Sequence, residues 1–374
     1  MNKKRIGIVI QKYSQIGGSE NFAYSLTEKL SHFEEFDIHV FANEWEKSSS
    51  PITFHHVPIM KFPRWLKPVS FAYFANQAIK KMNCDIIHSH ERLFNMDILT
   101  YHGIPHITWA KRIKQSYLSL FDRATIWIEK KSFSNNSLLV LPVSNLVKDE
   151  LLHVYHIPEN RIKTLHPGIE IDKFSSSDPQ ESRKKIRNMH DISDDDIVIL
   201  FVGMNFEIKR LDFVLEAMAH LSRKQAIKLL IAGKGNINKY QKIASRFGIS
   251  ENVIFAGTVR NIHEYYFASD IFVLPSQFDT FGLVVLEAMI SGLPVIITST
   301  VGAKDLIQSE INGIVLPDNS TSNHLADAFK RLMNYDYRQS LAQKGMNTAK
   351  MYSWDHYVNQ LINIYDTLSV KRII

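Results

Sequence analysis

One cysteine, Cys84, occurs in 374 residues. No intrachain disulfide and no cysteine-based metal cluster can form, so the chain relies on packed cores. Such cysteine usage fits a reducing compartment. No apolar run approaches the roughly 18 residues of a membrane-spanning helix. The basic start, MNKKRIGIVIQK, has only the apolar stretch Ile6–Ile10 before Gln11 and Lys12, and is expected not to be a secretory leader. No charge dominates, since 44 Lys+Arg face 38 Asp+Glu for a net +6. Short-period repeats and low-complexity tracts are absent too. With 45% apolar and 22% charged residues, the chain is too apolar for disorder. The basic excess permits contact with anionic lipid, nucleic acid or phosphorylated ligands without choosing among them. No nucleic-acid-binding module is recognisable, so nucleic acid is not expected as a partner.

What is there is alternation. At roughly 100–200 residues per domain, the length predicts two domains. Short Val/Ile/Leu runs, which suit buried parallel strands, alternate with amphipathic stretches such as Arg210–Ser222, Tyr240–Phe247 and Leu283–Ser291. Strands are predicted at Arg5–Ile10, Asp37–Phe41, Asp85–His88, Ile98–Tyr101 and Leu138–Val143. A second set is predicted at Ile197–Val202, Lys228–Ala232, Val253–Ala256, Ile271–Leu274, Val295–Thr298 and Gly313–Leu316. The expected fold class is α/β, with two doubly wound, Rossmann-like domains. His166-Pro167-Gly168, followed by the polar stretch Ser175–Gln180, reads as the boundary. This gives domains at 1–167 and 168–353, and leaves open whether the amphipathic segment at 354–374 closes the second or returns to the first.

Ligands of such proteins bind at strand carboxyl ends and in inter-domain clefts. After the first strand come Gly17 and Gly18 and then a helical run, so a backbone can approach a phosphate or sugar closely; a plain turn is the other reading. Gly203 ends a strand, and Lys209 follows at a helix mouth, where it can set a point charge against a diphosphate. The most informative stretch is PSQFDTFGLVVLEAM. Asp279 precedes a helix that starts near Gly282, and Glu287 lies within that helix among Val284, Val285, Leu286, Ala288 and Met289. A carboxylate there needs hydrogen-bond partners, which two vicinal ribose hydroxyls supply. The amides of Phe281, Gly282 and Leu283 suit a phosphate. In the first half, His88 and His102 end consecutive strands, where they would face the cleft, with a hydrogen-bonded structural histidine as the equal reading for His88; His102, before Gly103, is the best candidate for touching a sugar. A metal site there lacks a convincing third ligand. Asp194-Asp195-Asp196 precedes a strand, at the wrong sheet edge for a metal site.

GGSE, HPGIEIDKF, VGMNFEIKRLD, IAGKG, NVIFAGTV and DTFGLVVLEAMISGLPVI occur in the order seen in family 4 retaining glycosyltransferases of the GT-B fold. The chain resembles that family over nearly its whole length, most strongly over 196–317. Its ERLFNMD and following basic-aromatic segment most resemble the lipopolysaccharide core glucosyltransferase branch. The resemblance implies two domains facing each other across a cleft, with acceptor on the first and nucleotide diphosphate sugar on the second. It implies Glu287 on the nucleotide ribose, Asp279 on donor-sugar hydroxyls, and Phe281-Gly282-Leu283 at sugar and diphosphate. Gly203 belongs to the same donor site, and Lys209, with Arg210, neutralises the diphosphate. Gly17 and Gly18 form the first-domain loop, and His102 stands near the sugar. Two departures stand out: Asp279 replaces the usual glutamate, shifting reach by about 1.5 Å, and Met204 stands where many members have arginine. The resemblance further implies same-face transfer with retention, no metal or other cofactor, and a UDP-glucose-type donor.

Segment Trp109–Phe133 interleaves Trp109, Tyr117 and Trp127 with Lys111, Arg112, Lys114, Arg123, Lys130 and Lys131. On a helix, this pattern suits an anionic bilayer surface. Lys61–Lys81 is a second such stretch. With the resemblance, the expectation is a peripheral protein on the inner face of the cytoplasmic membrane, acting on a lipopolysaccharide core or related glycolipid. A sugar-nucleotide epimerase and a catalytically degenerate membrane scaffold are the alternatives.

Overall fold

The computed structural model describes residues 3–113, 117–175, 178–221 and 226–373. It divides into two compact units, Met1–His166 with Trp354–Ile374, and Pro167–Ser353.

The first unit is built on β1 (Lys4–Val9), β2 (Phe36–Ala42), β3 (Ile52–His56), β4 (Ile86–Ser89), β5 (Ile98–Tyr101) and β6 (Leu139–Pro142). The strands lie in the order β3-β2-β1-β4-β5-β6, and every pairing is parallel. Apolar runs such as Ile6–Ile10 are buried on both faces, as a parallel sheet requires. Strand β3 was not among the expected strands. It is an edge strand with half-exposed residues, and Thr53, His55 and His56 break up its apolar pattern. Helices α1 (Gly18–Leu30), α2 (Leu66–Met82), α3 (Leu120–Phe133) and α4 (Asn145–Tyr155) connect the strands. The C-terminal helix (Trp354–Ile373) buries Trp354, Tyr357, Leu361 and Tyr365 in this unit's core, with Ile6, Phe22, Ile38 and Ile86. Each such side chain contributes roughly 1.5–3 kcal/mol of apolar burial.

The second unit repeats the plan with β7 (Ile197–Met204), β8 (Ile227–Lys234), β9 (Val253–Gly257), β10 (Ile271–Leu274), β11 (Val295–Thr298) and β12 (Ile314–Leu316). Their order is β9-β8-β7-β10-β11-β12, again all parallel. Its helices are α5 (Pro179–Met189), α6 (Leu211–Ala219), α7 (Ile237–Arg246), α8 (Ile262–Ala268), α9 (Leu283–Ile290), α10 (Ser322–Leu332) and α11 (Tyr335–Lys350). The polar stretch read as linker ends in a helix start: the Asp178 carboxylate accepts from the amides of Gln180 and Glu181, and Pro179 opens α5. Residues 176 and 177 lie outside the described residues. Phe201, Leu215, Leu229, Val273 and Phe329 are buried in one core.

Both sheets reverse their winding beside their first strand, between β1 and β4 and between β7 and β10. At such a switch point the following loops diverge, leaving a crevice at the strand carboxyl ends.

Candidate active site

At the second unit's switch point, the loops after β7 and β10 are tied together. The Ile208 carbonyl accepts from Ser276 Oγ at 3.1 Å and from the Gln277 amide at 2.9 Å. Thr298 and Thr300 both donate to the Ser276 carbonyl, at 2.8 and 2.6 Å. The Asp279 amide donates to the Thr300 carbonyl at 3.1 Å, and its carbonyl accepts from Gly302 at 3.0 Å. These bonds set Asp279 against Lys209, and the two form an ion pair. Asp279 also accepts from the Phe281 amide at 3.3 Å. Both side chains of the pair are largely but not fully covered, so their attraction is less screened than on an open surface.

Gly282 caps α9 with φ +85°, a conformation that favours glycine. A Cβ there would lie 3.0 Å from Val301 Cγ1. The start of α9 carries the positive end of the helix dipole, and of its first amides the one on Val285 donates to the Gly282 carbonyl at 2.9 Å. Leu283 and Glu287, one turn apart, lie on the less buried stripe of a helix whose Val285, Leu286, Ala288 and Met289 are in the core. Glu287 is half-buried, and its Oε2 accepts from the Tyr266 hydroxyl at 2.8 Å. Burial pushes its carboxyl above the usual carboxylate range, while Tyr266 and Lys173 pull the other way. Tyr266, from α8, is fully buried, and its phenol is pushed upward by burial and by Glu287. Nothing in the sequence marks this partner, because it reaches Glu287 only through packing of α8 near α9.

Close backbone approach explains two glycines. A Cβ on Gly233 (φ +133°) would fall 1.9 Å from the Gly203 carbonyl oxygen, and one on Gly203 would sit 3.1 Å from Lys209 Cγ. Arg210 takes a left-handed conformation (φ 56°) before α6 and stacks its guanidinium 4.0 Å from the Phe213 ring centroid. Met204 is exposed at the end of β7. Asp196 accepts from the Ser193 amide at 2.9 Å in a turn ahead of β7. Among the described residues no group of three or more His, Cys, Asp or Glu side chains is arranged to hold a metal ion.

In the first unit, Gly17 (φ +116°) caps α1, and both Gly17 and Gly18 are exposed at its N-terminus. Of the two readings of His88 the structural one holds, and the cleft-facing one is corrected: the side chain is fully buried, bonded to Tyr365 Oη and Thr100 Oγ1, both at 2.7 Å. His90 stacks between His88 and His102, with ring centroids 4.8 and 5.2 Å away. Burial holds His88 neutral, its pKa lowered to about 3, and lowers His102 to about 4. His102 is half-buried and engages His90 Nδ1 through Nε2 at 2.9 Å.

The basic-aromatic segment is not one helix. It forms a π-helical turn, Trp109–Ile113, and then α3, started by a capping box of Ser119 and Asp122. The spacing Ser119-x-x-Asp122 is the sequence signal of that break. Trp109, Lys111, Arg112, Arg123, Trp127, Lys130 and Lys131 are exposed; Lys114 lies outside the described residues. Arg112 pairs with Glu150. Glu129, in contrast, is fully buried and accepts from Arg92 Nε at 2.6 Å, from the Tyr101 and Tyr155 hydroxyls, and from the His106 amide at 2.8 Å. Beside this network lies a cavity of about 640 Å³ lined by Arg64, Trp65, Arg92, Trp109 and Phe121, among others. Phe62, Tyr117 and Leu120 are also exposed. No helix of the described residues is long and apolar enough to cross a membrane.

Two six-stranded sheets of the same winding, with a charged pair and a helix N-terminus at the second switch point, define a GT-B protein. Residues 16–173 match the Glycosyltransferase Family 4 model, and residues 182–348 match Glycosyl transferases group 1. Each unit thus matches a glycosyltransferase family model. It is 30% identical over 235 residues to an uncharacterized glycosyltransferase of Methanocaldococcus jannaschii, covering 61% of this chain and 60% of that one. The chain spans 55% and 54% of the length of two curated D-inositol 3-phosphate glycosyltransferases, from Xylanimonas cellulosilytica and Catenulispora acidiphila. Among solved structures, WaaG, a glycosyltransferase involved in lipopolysaccharide biosynthesis, shares the fold at TM-score 0.80 and 20% identity, over 96% of this chain and 99% of WaaG. Anabaena HepE, solved in complex with UDP-glucose, shares it at TM-score 0.74 and 15% identity, over 97% and 99%.

Proposed function

We propose that this chain is a retaining glycosyltransferase that moves a hexose from a UDP-sugar, of UDP-glucose type, to a glycolipid of the lipopolysaccharide-core kind. The observation that carries the proposal is the Lys209–Asp279 pair beside the start of α9, with Glu287 one turn further on. In this reading the second unit holds the donor. Glu287 takes the ribose hydroxyls, with Tyr266 keeping its carboxylate oriented. The amides at the start of α9 and the Lys209 ammonium receive the diphosphate. Asp279 then accepts from donor-sugar hydroxyls.

Transfer breaks the bond between the anomeric carbon and the diphosphate oxygen, and the electron pair leaves with the diphosphate. Lys209 and the helix start stabilise that growing negative charge in place, which is where catalytic leverage is greatest. With these charges on hand, the reaction needs no metal. Same-face attack by the acceptor hydroxyl gives retention, its proton passing to the departing diphosphate oxygen. Gly203 and Arg210 complete the donor surroundings on the second unit.

The UDP-glucose complex of HepE supports the donor, and the role of WaaG in lipopolysaccharide biosynthesis supports the acceptor. Exposed Trp109, Trp127, Lys130 and Lys131 support peripheral attachment to the anionic inner face of the cytoplasmic membrane. The test is UDP release from a panel of nucleotide sugars, with and without a cell-envelope lipid extract. Release from one donor, raised by the extract, is expected. No release from any donor would sink the enzyme reading in favour of a scaffold.

A further inference from the structure

The cavity of about 640 Å³ beside the Glu129 network lies wholly within the first unit, and its lining comes from the residues just before α2, the segments after β4 and β5, and the start of α3. Its walls are mainly apolar, and its size is that of a pocket for a small organic ligand. Trp65, Trp109 and Leu120 line it and are also exposed, so they border its opening. The carboxylates nearby are taken. Glu129 already accepts from Arg92, two tyrosine hydroxyls and the His106 amide. Asp122 accepts from the Ser119 amide at 2.8 Å and hydroxyl at 2.6 Å, and engages His106 Nε2 at 3.0 Å. The arginines are not equally spent. Arg92 uses Nε on Glu129 and one terminal nitrogen on Tyr101 Oη at 3.4 Å, which leaves its other terminal nitrogen without an acceptor among the described residues. Arg64 is exposed, lies 5.2 Å from the Phe121 ring centroid, and has no carboxylate partner among the described residues.

We propose that this cavity seats one molecule of an anionic phospholipid. Its phosphate pairs with Arg64, and the open terminal nitrogen of Arg92 is the second donor the cavity offers. The first carbons of its acyl chains lie against Trp65, Trp109, Leu120 and Phe121. An uncompensated guanidinium at the edge of an apolar cavity calls for a ligand that is anionic at one end and apolar at the other, and the planar fork of arginine suits phosphate oxygens. Exposed Phe62, two residues before Arg64, adds apolar surface of the kind that marks an interaction site. The seat differs from Lys130 and Lys131, which attract a charged bilayer surface without selecting a molecule. It needs nothing from the second unit and does not rest on the transferase reading.

The test is calorimetric titration of the full-length protein with dihexanoyl phosphatidylglycerol, dihexanoyl phosphatidylcholine and glycerol 3-phosphate, each lipid below its micelle concentration so that no bilayer surface is present. Arg64→Ala removes the exposed cation. Gly103→Leu fills the cavity from its wall, where an added Cβ meets nothing within 4 Å. The expected result is one-to-one binding of the phosphatidylglycerol to wild type, with the phosphatidylcholine and glycerol 3-phosphate each bound at least about tenfold more weakly. Arg64→Ala should weaken phosphatidylglycerol binding by about tenfold or more, the scale of a hydrogen bond to a charged group. Gly103→Leu should weaken both lipids. If Gly103→Leu does not fold, the exposed Arg64 decides the matter alone. No saturable binding of the phosphatidylglycerol, or equal affinity in wild type and Arg64→Ala, would overturn the proposal. Glycerol 3-phosphate bound as tightly as the lipid would overturn it in favour of a free phosphate ester. The transferase reading is tested separately, by UDP release.

Discussion

Lys209 and Asp279, 70 residues apart in sequence, meet as an ion pair at the second unit's switch point. Each holds the charge that the other would offer to a donor. In the proposed donor site, the pair is therefore a competitor for the diphosphate as well as a part of what receives it.

Asp279→Asn and Lys209→Ala should separate these roles. Removing the carboxylate frees the ammonium, so Asp279→Asn should bind UDP up to about fivefold more tightly, in line with the ~0–1 kcal/mol of a partly exposed ion pair. Sugar transfer should fall at the same time. Lys209→Ala should weaken UDP binding and reduce turnover by about 100-fold or more, as for loss of one preorganised electrostatic group. Calorimetry and a UDP-release assay on both variants check this.

Gly282 tests whether the helix start is fixed by backbone shape. Gly282→Ala forces a left-handed residue at φ +85° and places a Cβ 3.0 Å from Val301. A loss of roughly 1–2 kcal/mol is expected from the backbone alone, read by denaturant titration. Gly233→Ala, with its Cβ 1.9 Å from the Gly203 carbonyl, should fail to give soluble protein.

Most of the strand framework was legible because parallel strands buried on both faces leave continuous apolar runs, as at Ile197–Val202. The half-exposed edge strand Ile52–His56 leaves no such run and was missed. The donor-site candidates Lys209, Asp279 and Glu287 were readable from spacing and flanks. Tyr266 was not, because its contact with Glu287 comes from which helices become neighbours. The break before Leu120 was readable in Ser119 and Asp122 but was overlooked in a continuous basic-aromatic pattern.

The histidine row predicts how stability responds to acid. His88 and His102 titrate lower in the folded chain, at about 3 and 4, than in the unfolded chain, near 6.5. Their contribution to stability is complete above about 6.5 and is lost as pH falls towards those folded values. The melting temperature should drop between pH 7 and pH 4. His88→Phe should show a shallower drop than wild type, whatever its stability at pH 7.

The exposed lysines of α3 predict salt-sensitive membrane attachment. At about 1 kcal/mol per basic residue near an anionic surface, Lys130→Ala and Lys131→Ala should each weaken binding to phosphatidylserine-containing vesicles about fivefold. Binding to purely zwitterionic vesicles should be weak for wild type and variants alike. Vesicle co-sedimentation at two salt concentrations measures both effects.

The central claim is that the second unit holds a uridine nucleotide with Glu287 on its ribose. Calorimetric titration of UDP into wild type and Glu287→Gln tests it most directly. The account predicts saturable one-to-one binding to wild type, weakened by about ten- to a hundredfold in Glu287→Gln, the scale of hydrogen bonds to a charged group. Absence of binding to wild type, or equal affinity in the two proteins, would contradict it.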